Sequence, residues 1–331
     1  MARPRPEPDD GSLLPWLLDP TQPAARYRTL LDLLDRPPTD PEVVEAQERI
    51  PTTGWAAEIF SRQKPEGHWE SADNLYTPKY RATIWNVQVL ALLGVTRDDA
   101  RMAAACELFL DQYARQDGGL DSGPEPDAKS ELCVTGNLTR TLLLAGYGED
   151  RRVRSAIRWI VRNQLADGGW HCWPQVAFRR GTLDAWEGLS ALATIPLAQR
   201  SPEVRRSIQR GAEFFLRHRL LEQGRTPYAA WQRFHFPNHY YYDGLVGLDL
   251  LTGLGYGADP RLETALALLA RKRRPDGKWA IDRAHPDLAP GAGYKPRKRA
   301  TPMVVEPAGR PSRWLTLTAL RVRRRVATAR A

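Results

Sequence analysis

The sequence predicts an all-α chain: an α/α toroid (barrel) of about five helical hairpins, with additional helices at its N-terminus. Three observations carry this. Glycine-rich breaks return about every fifty residues. Between them an amphipathic helical segment alternates with one that is apolar on most faces. No segment alternates with period two for long enough to be a convincing strand.

The breaks are RQKPEGHWE (62–70), RQDGGLDSG (115–123), NQLADGGWHCW (163–173) and RRPDGKWAID (273–282). Trp69, Leu120 and Trp170 hold the same place in their repeats, 51 and 50 residues apart. A degenerate copy fits before Trp279: EFFLRHRLLEQGRTPYAAW (213–231), with Gln223-Gly224 and Tyr228 in place of the stronger signal. A period of this size marks a repeated supersecondary unit.

Two helices, 24–36 and 41–50, precede the first repeat. Outer segments open with capping chemistry at Thr96 with Asp99, Ser201-Pro202 and Asp259-Pro260. Apolar residues then recur at three and four, as in Val153, Ile157, Ile160 and Val161. Each outer run ends at a Gln-x-x-Asp-Gly-x-Trp type of break, where glycine supplies the left-handed conformation that stops a helix. The glutamine amide is expected to reach orphan backbone groups and the indole to pack on the neighbouring helix. Inner helices follow at 81–94, 131–145, 182–195, 241–254 and 312–324, several ending at a glycine (Gly94, Gly146, Gly253). The expected organisation is a disordered tail over 1–12, one toroid domain over 13–325 and a basic C-terminal tail over 326–331. Periodicity alone also admits an open helical solenoid.

Hydrophobic residues at 42% and charged residues at 26% describe a globular chain, and no apolar run approaches the ~18 residues of a spanning helix. The opening MARPRPEPDDGS lacks a secretory pattern, so a cytoplasmic location is expected. Peripheral membrane contact through an apolar patch stays open, and a protein partner is not identified. The net charge is +9, but only seven of the 48 basic residues are lysine and many arginines face acidic helix neighbours. No nucleic-acid motif accompanies the charge, so nucleic acid is not an expected partner. An anionic ligand such as a diphosphate accounts for the surplus equally well. Three cysteines make no disulfide framework, and Cys106 sits at core spacing in ARMAAACELFL.

QLADGGW resembles the QW motif, the Gln-x-x-x-Gly-x-Trp repeat of the terpenoid cyclase and protein prenyltransferase superfamily, and the match runs over roughly residues 54–325. The whole pattern is most similar to stand-alone bacterial squalene-cyclase-like or prenyltransferase-like proteins. The resemblance implies a toroid whose central cavity takes an isoprenoid, a prenyl diphosphate or a polyprene. The chain departs from class II cyclases in lacking their Asp-x-Asp-Asp acid. TRDDA (96–100) lies at a helix cap and EPDD (7–10) in the tail.

In a toroid every loop from an outer to the next inner helix reaches one rim. Residues around 68–80, 120–133, 171–184, 224–243 and 280–314 should therefore gather there, with the long segment 281–314 folding over the opening. Cys133, Cys172 and His239 form the expected metal set, with His171 and His235 at the same end; zinc prefers thiolate and imidazole. The resemblance adds that protein prenyltransferases use an Asp, a Cys and a His near inner-helix starts, loosely echoed by Glu131-x-Cys133. The bland alternative is two buried cysteines and a surface histidine. Magnesium would join a diphosphate substrate. Asp184 and Asp243 start equivalent inner helices and are candidate general acids, with Glu187 one turn on; helix capping is the alternative. Trp85, Trp173, Trp186, Tyr240, Tyr241, Tyr242 and Trp314 supply an aromatic lining suited to an isoprenoid or its cations, unless they only pack the core. GLGYG (253–257) follows a helix and reads as its cap.

The expected function is therefore a terpenoid cyclase- or prenyltransferase-like enzyme. The alternative is a catalytically inactive toroid that binds a lipid or a protein, and a carbohydrate-active (α/α) barrel is a third class.

Overall fold

The computed structural model describes residues 10–123, 129–172, 180–223, 226–283 and 305–331. Five inner helices carry the toroid: α5 (Thr83–Leu93), α7 (Leu132–Leu144), α9 (Glu187–Thr194), α11 (Gly244–Gly253) and α13 (Arg313–Arg330). Outside them run α4 (Gly54–Phe60), α6 (Ala100–Tyr113), α8 (Arg151–Arg162), α10 (Pro202–Arg217) and α12 (Glu263–Arg271). α1 (Leu14–Leu17), α2 (Pro23–Asp32) and α3 (Pro41–Arg49) precede the repeats. Strand structure among the described residues is confined to the two-residue pair β1 (Glu222–Gln223) and β2 (Thr226–Pro227).

The repeated break works as a staple. Gln63 Nε2 donates to Gly67 O within its own turn (2.8 Å) and to Arg101 O on the next outer helix (2.9 Å). Gln164 repeats this with Gly168 O (2.8 Å) and Ser207 O (2.9 Å). The indole N–H of Trp69, Trp170 and Trp279 donates to the carbonyl ten residues back, Ile59, Ile160 and Leu269, at 2.8–2.9 Å. The Ile160 and Leu269 carbonyls lie in the last turn of their helices with no backbone donor among the described residues, while that of Ile59 also takes Arg62 N (3.3 Å). Gly168 has φ +91°, and a Cβ there would stand 2.5 Å from Arg210 O, so the turn has room only for glycine.

A second linkage is an Asp-x-Arg pattern at the starts of the outer segments. Asp99 and Asp150 cap outer helices and Asp259 caps the 3-10 turn leading into α12, and in each the arginine two residues on forks back onto the capping carboxylate. Arg152 then reaches Glu107 (2.8 Å) and Asp111 (2.7 Å) on the preceding outer helix, and Arg261 reaches Glu213 (2.8 Å).

The ring closes. One hollow takes wall residues from all five inner helices: Gln88, Arg140, Ser190, Asp249 and Arg321. An open solenoid has no such shared space. Closure is electrostatic as well as apolar, because arginines of α13 reach back to the N-terminal helices. Arg313 meets Asp19 (2.7 Å), Arg321 meets Asp32 (2.5 Å) and Arg323 meets Asp10 (3.2 Å). Much of the basic C-terminus is thus consumed inside the fold. α13 continues to Arg330 with Val326 buried, so the boundary drawn at 325 falls within it. The degenerate fourth break also differs from expectation. Tyr228 is 43% exposed, and the buried ring of that repeat is Trp231. No helix among the described residues is long and apolar enough to cross a membrane.

Candidate functional site

The outer-to-inner loops meet at one rim. Leu132 N donates to Cys172 O (3.0 Å), Lys79 Nζ to the Tyr240 hydroxyl (3.0 Å) and the Trp186 indole to Tyr240 O (3.3 Å). Phe236 stacks on Trp314 with centroids 5.0 Å apart.

Three ligand-type groups converge where α7 begins. Glu131 is the residue before the helix, Cys133 lies in its first turn, and Cys172 follows the pinned Trp170. The Cys133 thiol lies 2.8 Å from Cys172 Sγ and 3.7 Å from Glu131 Oε2. Ligand atoms of all three lie within 4.8 Å of one another, and His239 is not in this cluster. That corrects the expected set. His239 has a left-handed backbone (φ 47°), and its ring packs 5.3 Å from both Tyr80 and Trp85. The contact with Cys172, then burial, raises the Cys133 thiol well above its usual range, while the same contact lowers Cys172. Burial, then the Asp121 carboxylate, raises Glu131. Cys106 is apart from all this, buried on α6 and pushed up to about 12 by desolvation.

Glu187 adjoins the pair electrostatically: its charge bears on Cys133, and that of Cys172 bears on it. It is 1% exposed, and neither carboxylate oxygen bonds another described residue. Burial above all raises it well above the usual carboxylate range. The position exists because Gly136 lets α9 come close; a Cβ on Gly136 would stand 2.6 Å from Glu187 Cβ.

Beside this lies a phenol cluster. The Tyr80 hydroxyl donates to that of Tyr240 (2.9 Å), and Tyr241 stands 3.4 Å from Tyr240. Burial, then the two neighbouring phenols, raises Tyr80 far above an ordinary tyrosine. Lys79 lies against Tyr240, and its charge offsets a small part of the upward shift of Glu131. Lys79 and Tyr80 were missed individually, although their loop was expected at the rim.

The other candidates distribute as follows. Asp243 is a cap: Oδ1 takes Leu245 N and Val246 N (both 3.0 Å), and Oδ2 takes His235 N (2.9 Å), Asn238 Nδ2 (3.0 Å) and the His235 ring (3.3 Å). Five donors explain this acid without a general-acid role. Replacing Asp243 by alanine is expected to cost about 2 kcal/mol in urea unfolding, as buried donors lose their acceptor. An unchanged midpoint would contradict the capping role. Asp184 stays in contact with solvent and accepts the Trp231 indole N–H at 2.7 Å; packing raises its carboxyl and that bond lowers it. Trp186 and Trp314 do line the hollow, whereas Trp85 is buried below the phenols with its N–H on Tyr76 O (2.7 Å). Tyr242 corrects the aromatic set, since it turns outward to Leu220 O (2.9 Å) and packs on Phe215. Trp173 and most of the segment 281–314 lie outside the described residues. The hollow itself measures about 120 Å³, against roughly 300–1,000 Å³ for sites that enclose drug-sized ligands.

No family model matches the sequence, and no curated protein matches it. Solved structures do. The type II terpene cyclase MstE from Scytonema, without ligand, is 16% identical with a TM-score of 0.45 over 95% of this chain and 88% of that one. A variant of that cyclase in complex with geranylgeranyl dihydroxybenzoate, its substrate, is 16% identical with a TM-score of 0.44 over 95% and 87%. A polysaccharide lyase is 16% identical with a TM-score of 0.48 over 95% and 90%.

Proposed function

We propose that the protein is an enzyme that handles an isoprenoid at the mouth of its toroid, with Glu131, Cys133 and Cys172 holding a zinc ion. The observation carrying this is the convergence of the three ligand groups within 4.8 Å, beside a buried carboxyl with no partner among the described residues. Two thiols and a carboxylate suit zinc over calcium or magnesium. Two Zn–S bonds of about 2.3 Å at a tetrahedral angle span ~3.8 Å, so sulfurs at 2.8 Å must part by about 1 Å to chelate. When bound, zinc supplies a Lewis acid and acidifies whatever thiol or water takes its open position. Lys79 supplies positive charge for an anionic group such as a diphosphate, which magnesium would accompany. Tyr240 offers a hydroxyl beside it, and Glu187 places a buried carboxyl near the sulfurs. The isoprenoid rests on the QW resemblance of the repeats.

Metal analysis of the purified chain is the direct test. About one zinc per chain is expected, falling to background in Cys133→Ser and Cys172→Ser. Incubation with prenyl diphosphates and squalene, followed by mass spectrometry, should yield a zinc-dependent product. Zinc-free protein with no product would overturn the reading. A second reading, a non-catalytic lipid- or protein-binding toroid, is favoured by the cap role of Asp243 and the narrow hollow. A lipid retained in native mass spectrometry without turnover would select it.

A further inference from the structure

We propose that the central hollow is a binding site for a small oxyanion, of the size of phosphate or a short carboxylate, with Arg140 as its principal anchor. Arg140 projects from α7 into the wall, its guanidinium 5.5 Å from the Trp186 ring centroid. It makes no hydrogen bond or ion pair with any described residue. Burial lowers it to about 10, which leaves it charged at neutral pH.

The charges around it do not cancel. Asp249 is engaged by Arg321 (2.7 Å) and Arg325 (3.0 Å), and Asp32 by Arg321 (2.5 Å) and Arg28 (2.9 Å). Two carboxylates therefore answer three guanidiniums before Arg140 is counted. Asp243 is taken up by helix N–H groups and His235. Arg140 is half-buried, and an unanswered cation held away from bulk solvent is costly unless an anion or water reaches it.

Neutral donors converge on the same space. Gln88 (6% exposed), Asn137 (6%) and Ser190 (4%) line the hollow from three helices, and their side chains bond to no described residue. His235, 3% exposed, lines it too and leaves Nε2 without a partner. Buried polar groups are almost always satisfied. A guanidinium and four such side chains around one hollow are satisfied together by a polar guest. At about 120 Å³ the space takes an oxyanion and some water, and no isoprenoid chain.

The inference goes beyond the mouth chemistry and stands even if no zinc binds there. Thermal melting of the full chain tests it, in inorganic phosphate or acetate against chloride at matched ionic strength. A rise of about 4 °C is expected at roughly a hundredfold excess over Kd. Arg140→Gln should abolish the rise. Should that variant fail to fold, Gln88→Leu combined with Asn137→Leu keeps the charge and should shift the phosphate midpoint about tenfold higher. No rise in the wild-type chain means that water alone fills the hollow. An equal rise in the variants places the anion elsewhere. Either result overturns the proposal.

Discussion

Replacing Trp170 by alanine is expected to remove about 3–5 kcal/mol of stability, read as a lower urea midpoint. The indole is 1% exposed, and two helices are shaped to it. A Cβ on Gly188 would stand 2.8 Å from the ring, and one on Gly211 2.9 Å, so both glycines are vacated for it. Alanine leaves a cavity between α9 and α10 that those backbones are too constrained to fill. It also orphans the Ile160 carbonyl, which the indole N–H holds at 2.9 Å. Trp170→Phe keeps one aromatic ring but loses the bond and part of the indole's volume, so the loss should be smaller, about 2 kcal/mol. The effect reaches the site, because Cys172 follows two residues later and the alanine variant should lose zinc affinity with stability. An alanine variant within ~1 kcal/mol of the parent would show that the break does not lock the repeats.

The same residues explain why the fold was legible. Helix periodicity, caps and glycine stops are local, and the Trp170 break advertises a lock that local rules can read. Inner-helix positions followed because residues buried on several faces must be apolar on several faces. Closure was expected, but periodicity alone also admitted an open solenoid, since the seam depends on Arg313, Arg321 and Arg323 meeting acids about three hundred residues earlier. The site divides along the same line. Cys133 and Cys172 begin and precede adjacent inner segments, so repeat geometry brings them together. His239 did not join them, because a left-handed residue in an irregular loop aims its side chain where periodicity says nothing. Glu131 stood beside Cys133 in sequence but took part only once the chain turned into α7. Lys79 and Tyr80 arrive from a loop without regular structure, where residue spacing holds no record of contact. The burial of Glu187 was hidden for another reason: it is set by Gly136, a residue of the neighbouring helix.

That burial sets the second large effect. In metal-free protein, stability is expected to fall as pH rises above about 5, and Glu187→Gln should remove much of the fall. The folded-state carboxyl is raised well above its unfolded value of 4.5. Between the two values the native chain keeps a proton that the unfolded chain has released. The stabilisation is therefore complete below the unfolded value and is lost as pH climbs toward the folded one. The slope reaches about 1.4 kcal/mol per pH unit for one group. Glutamine matches the neutral acid in shape and cannot ionise, though its amide also lacks partners, which costs about 1–3 kcal/mol at every pH. The pH dependence, not the absolute level, is thus the readout, from urea unfolding between about pH 4 and 8 after chelator treatment. Parallel profiles for parent and variant would mean that the carboxyl finds water or a counter-charge. Zinc at the neighbouring thiols should favour the ionised carboxyl and flatten the parent's profile. The same titration therefore shows whether the acid and the cysteines share a cation.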